Sequence, residues 1–125
     1  MTSNKSKSRI RLSIWAARVI SALAFGLAGG AKLFGAAALV AIFDQIGFGQ
    51  WFRYLTGAIE LLGAILILVP AAALTGTILL FCVACGAVAT HFFLIGGNSL
   101  PAIVLLFLTG GLLVATRRYQ RLGAL

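Results

Sequence analysis

From Ile14 to Thr116 the chain is almost free of charge: in that whole stretch only Arg18, Lys32, Asp44, Arg53 and Glu60 carry one, with His91 the single histidine. A bilayer core about 30 Å thick needs roughly 20 mostly apolar residues per helix. Four runs of that kind can be marked out, at about 14–34, 51–69, 71–95 and 100–116. They are bounded by charges, by Pro70, or by the polar turn Gly96-Gly97-Asn98-Ser99. Asn98 or Ser99 can cap the last run, and Pro101 suits its first turn. The runs are continuously apolar and rich in Ala, Leu and Gly, without the period-two alternation of a transmembrane barrel. The expected fold is therefore an all-α integral membrane protein, a four-transmembrane-helix bundle.

Composition removes the soluble alternatives. Of 125 residues 62% are hydrophobic and 10% charged, against roughly 45–50% and 25% in soluble domains. The formal charge of +8 could suggest nucleic-acid binding, but most of the cations lie in two basic tails, at 1–13 and 117–125. That placement reads as a topology signal and an attraction to anionic lipid. Both tails are then cytoplasmic, in line with an even number of crossings. The polar N-terminal Ser/Lys tail is expected to be disordered. The first run resembles a secretory signal, yet three further spans follow and Lys32 interrupts the cleavage region, so it reads as a permanent helix. Between the first two spans, Ile42, Phe43, Ile46 and Phe48 surround Asp44 and Gln45 and lead into Trp51, Phe52, Arg53 and Tyr54. This mixture reads as a short interfacial helix and an aromatic belt.

Glycine supplies 15 residues. In lipid, small residues let helices approach closely, and Gly57 and Gly63 share a helix face with Glu60, as Gly29 does with Lys32. Glu60 falls roughly 13 Å along its helix from Trp51, and Lys32 and His91 lie near the same end of their own spans. A lone carboxylate at that depth costs several kcal/mol, so a contact between Lys32 and Glu60 is predicted, with Arg53 as a second candidate partner. Two readings stay open. The pair is either a structural link between two helices or part of a polar pocket in the outer half of the bilayer. In that pocket Glu60 exchanges protons and Lys32 or His91 hydrogen-bonds a carbonyl-bearing ligand. His91, among Phe92, Phe93 and Leu94, is equally suited to a backbone carbonyl. Cys82 and Cys85 form a C-x-x-C without a helix N-terminus or nearby cation to stabilise a thiolate, and read as small buried packing residues. No metal ligand set is apparent.

The run Ala28-Gly29-Gly30-Ala31-Lys32-Leu33, followed by Tyr54-Leu55-Thr56-Gly57-Ala58-Ile59-Glu60-Leu61-Leu62-Gly63 and a third helix ending near a histidine, resembles the DoxX and DoxX-like family. The resemblance covers about residues 14 to 117. It implies a four-helix bundle in a bacterial cytoplasmic (inner) membrane, an auxiliary subunit of a quinone- or thiol-linked redox system that is not catalytic alone. It carries over Lys32, Glu60, Gly29, Gly57 and Gly63, with His91 a weaker match. No intrinsic cofactor is expected, quinone being the candidate ligand. The expected partners are lipid together with further copies of the chain or other redox subunits. Two further functions fit the same residues: a small oligomeric transporter or exporter with Glu60 as its protonation site, or a purely structural assembly protein.

Overall fold

In the computed structural model, which describes residues 4–121, five α-helices follow one another: α1 Asn4–Phe34, α2 Ala37–Ile46, α3 Gln50–Leu66, α4 Ala73–Thr90 and α5 Leu100–Arg121. No strand occurs among the described residues. Three segments are long and apolar enough to cross a membrane: Asn4–Phe34, Pro70–Ile95 and Leu100–Arg121. The expected second span is shorter than that, since α3 holds 17 residues.

The breaks between helices follow local chemistry. Gly47 closes α2 at φ 88°, a left-handed position that a side chain would strain, and its N–H bonds Phe43 O. At the end of α3, Ile67 to Val69 turn back through hydrogen bonds to Gly63, Ile65 and Leu66, and Pro70 opens a single 3₁₀ turn before α4. The last turn of the Pro70–Ile95 segment widens to a π-type turn over His91–Ile95, whose final bond runs from Gly96 N–H to His91 O at 2.8 Å. Asn98 Oδ1 then accepts from Leu100 N–H at 3.1 Å and caps α5.

Helices α1, α3, α4 and α5 pack in that order, with α5 returning to α1, while α2 lies against α3 and the His91–Ile95 turn. Glycine allows close approach at two crossings. A Cβ on Gly29 would stand 2.8 Å from Gly57 O, and one on Gly57 would stand 3.0 Å from Gly29 O. Those backbones could not otherwise approach so far. Between α3 and α4, Gly63 and Gly76 play the same part, facing Leu80 and the Ile67 backbone. The core cluster is small: Phe25, Ala64, Ile67, Leu80 and Ala84. Large apolar side chains such as Leu23, Leu27, Ile65, Phe93 and Phe107 point outward, whereas Thr77 and Thr109 are buried and donate to Ala73 O and Leu105 O within their own helices. Apolar surface outside with small residues at the helix crossings is the arrangement lipid favours.

Two expectations are corrected. The tail expected to be disordered is helical from Asn4 onward, so Lys5 to Arg11 extend α1. Arg18 accordingly lies in the middle of α1, and it is buried on the face that carries Ile14, Ser21, Phe25 and Gly29. Cys82 and Cys85 are free and exposed, not buried. Helix α4 is apolar on every side, so its sequence carries no period from which the inward face could be read.

Candidate functional site

The Gly29–Gly57 crossing brings the end of α1 against the middle of α3. One turn beyond Gly29, Lys32 extends across the crossing, and its Nζ lies 2.7 Å from Glu60 Oε1. The side chains are 15% and 5% exposed. A pair that is so far removed from water depends on its geometry to offset desolvation. Glu60 Oε2 is buried without a hydrogen-bond partner, and the ammonium has three donor protons of which Glu60 takes one. The pair therefore retains unused capacity on both sides, an acceptor on Glu60 and donors on Lys32.

Arg53 does not join Glu60. Its Nη1 donates to Lys32 O at the end of α1, where a cation complements the exposed carbonyls of a helix C-terminus, and its Nε donates to Gln50 Oε1 at 2.6 Å. Gln50 Nε2 in turn donates to Asp44 Oδ1 at 2.7 Å and to Val40 O at 3.1 Å. The guanidinium also sits 4.3 Å over the Tyr54 ring. Arg53 thus ties three elements together: α1 through its last turn, α2 through Gln50, and its own α3. Asp44 and Gln50 did not stand out in the sequence as site residues. Their one available signal was a carboxylate and an amide spaced to meet across a Gly-Phe-Gly turn.

Beside the pair lies a cavity of about 470 Å³. Helix α2 contributes Leu39, Ile42 and Phe43 to it, α3 contributes Phe52, Thr56 and Glu60, and α4 contributes Cys82, Gly86 and Thr90. Lys32 and His91 complete its polar lining. The walls are mainly apolar. Phe43, only 5% exposed, packs on Phe52 with ring centroids 5.8 Å apart, so α2 covers the cavity as well as lying beside it. Gln45 Nε2 fastens α2 to Ile95 O at 3.3 Å.

The remaining polar groups on the lining are largely committed. Thr56 Oγ1 donates to Phe52 O and Thr90 Oγ1 to Gly86 O. His91 Nδ1 lies 2.9 Å from Gly96 O. A carbonyl only accepts, so Nδ1 donates in that contact and is taken up by it. Lys32 is left as the strong donor of the cavity, and Glu60 as its strong acceptor.

These features define a small all-helical membrane protein in which a buried ion pair stands on the wall of an apolar cavity. The DoxX-like family model matches residues 16–115, and the chain belongs to that family. No curated protein and no solved structure shows significant similarity to it.

Proposed function

We propose that the protein is an auxiliary membrane subunit of a quinone- or thiol-linked redox system, and that its cavity receives the head group of a quinone. The observation that carries this reading is the Lys32–Glu60 pair, with spare donors and a spare acceptor, on the wall of a mainly apolar cavity of about 470 Å³. A quinone is an apolar ring with two carbonyl oxygens, so it needs apolar walls and a hydrogen-bond donor. Lys32 supplies the donor for a carbonyl, and the Glu60 carboxylate supplies an acceptor for the hydroxyl of the reduced form. In this reading electrons come from a partner protein, and the role of the chain is to bind and orient.

In this reading α3 is the fourth crossing. Its 17 residues span about 25 Å at 1.5 Å per residue, and the turn at Ile67–Val69 adds apolar length. The basic residues before Ile14 and after Thr116 then place both ends of the chain on the cytoplasmic side of a bacterial inner membrane, with the Lys32–Glu60 pair in the outer half. Further copies of the chain or other redox subunits cover part of the apolar exterior.

Purified protein titrated with a short-chain ubiquinone or menaquinone analogue tests the reading. Saturable quenching of Trp51 fluorescence is expected, weakened about tenfold or more by Lys32→Met, as befits loss of a charge-assisted hydrogen bond. Quenching that is linear in quinone and indifferent to Lys32 would overturn it. A second reading, proton-coupled transport, draws on the unpartnered Glu60 Oε2. It requires proton flux in liposomes that Glu60→Gln abolishes.

A further inference from the structure

At the other end of the bundle, where the α3–α4 turn meets the two ends of the chain's helical span, a second cavity of about 480 Å³ is lined by Arg11, Trp15 and Arg18 of α1, Pro70 and Ala71 of the turn, and Gln120 of α5. Arg18 is only 2% exposed. Its guanidinium lies 5.1 Å from the centroid of the Trp15 ring, its Nε is buried with no hydrogen-bond partner, and no ion pair accompanies it among the described residues. An unpaired buried cation is among the most costly groups a small bundle can hold.

The chain does not provide a carboxylate side chain to meet it. Its two acidic residues are Asp44 and Glu60; Asp44 is bonded by Gln50, and Glu60 by Lys32, both at the opposite end. Arg11 stands on the same cavity wall, and Arg117, Arg118 and Arg121 follow on the last turns of α5. Ser21, one turn from Arg18, and Thr116, one turn from Gln120, also bury hydroxyls without partners. Buried donors without a partner, Arg18 Nε and the Ser21 and Thr116 hydroxyls, thus lie on or one turn from the residues of a defined cavity.

The geometry points to a binding site for a phosphate group in this cavity, held by Arg18 and Arg11 with Gln120 as a neutral donor. A guanidinium presents a planar fork that matches two phosphate oxygens. Trp15, stacked on Arg18, holds the fork in place and is a residue suited to the membrane–water interface. The phosphate belongs either to the head group of an anionic membrane lipid, whose acyl chains would follow the apolar exterior of α1, or to a soluble phosphate compound. This site is independent of the quinone reading, since it uses none of the residues around Lys32 and Glu60.

The test uses the full chain, stripped of lipid in mild detergent and examined by native mass spectrometry with phosphatidylglycerol, phosphatidylcholine or inorganic phosphate. Preferential retention of phosphatidylglycerol over phosphatidylcholine is expected. Retention should fall about tenfold or more in Arg18→Gln and in Arg11→Gln, the scale of a lost charge-assisted hydrogen bond, and change little in the double variant Arg117→Gln/Arg118→Gln. Inorganic phosphate that binds by itself and competes identifies a soluble ligand; phosphate without effect identifies the lipid. Should Arg18→Gln fail to fold, Arg11→Gln carries the test, because it leaves the buried cation in place. Equal retention of both lipids with no response to phosphate would overturn the proposal. So would retention that survives Arg11→Gln and is lost in the double variant, since that pattern belongs to diffuse surface charge.

Discussion

Lys32 Nζ and Glu60 Oε1 are 2.7 Å apart, joining α1 to α3 one turn from the place where Gly29 and Gly57 bring the two backbones into contact. The ion pair and the glycine crossing are parts of one feature. The glycines set the separation that a lysine side chain can bridge, and the pair fixes the register of the crossing.

Removing one partner leaves the other buried and unpaired. Lys32→Met or Glu60→Leu alone is expected to cost about 3 kcal/mol, at the lower end of values for broken buried pairs because Lys32 keeps some exposure. The double variant is expected to recover most of that loss. Unfolding in mixed micelles, run as a double-mutant cycle, checks it; single losses that simply add would show that the two groups are not coupled.

The glycine positions separate packing from composition. Gly29→Ala and Gly57→Ala each place a Cβ within 3.0 Å of a facing carbonyl oxygen, which backbone cannot easily yield, and a loss of about 1–3 kcal/mol is expected for each. Gly26 and Gly30 have nothing within 4 Å of the added carbon. Their replacement by Ala is expected to be neutral, or to stabilise α1 slightly through helix propensity. Thermal melting of the four variants side by side measures the contrast.

Arg53 makes its own prediction. Arg53→Ala removes the cation at the end of α1 and the link to Gln50, so α2 is expected to loosen from the cavity while α4 and α5 are untouched. Hydrogen exchange is the suitable readout: faster exchange over Ala37–Ile46 is expected, with rates in Leu100–Arg121 unchanged. Uniform acceleration across the chain would mean that Arg53 acts on global stability instead.

Much of this organisation is legible from the residues. The apolar runs mark the long helices, because lipid demands about 20 residues of hydrocarbon-compatible surface. The Lys32–Glu60 contact follows from one acid and one lysine placed at matching depth. The spacing Gly57, Glu60 and Gly63 marks the packed face of α3. Other features depend on information that no single helix holds. The acceptor of Arg53 is a carbonyl at the end of another helix, exposed to it only by the Gly29–Gly57 crossing. The outward position of Cys82 and Cys85 is hidden by the uniform apolarity of α4. Burial of Arg18 was obscured because α1 continues through a Ser/Lys-rich segment that resembles a solvated tail.

The cavity is the centre of the functional reading, and Cys82, which lines it, gives a direct probe. Cys85, three residues further along α4 and exposed, is absent from that lining. In a Cys85→Ser protein, alkylation of Cys82 by N-ethylmaleimide is followed by mass spectrometry with and without a short-chain quinone. The expected result is that quinone slows the labelling of Cys82 saturably, and that Lys32→Met removes the protection. In the reciprocal Cys82→Ser protein, labelling of Cys85 should be unaffected by quinone. Labelling of Cys82 at the same rate whether or not quinone is present would contradict a ligand site at the Lys32–Glu60 pair.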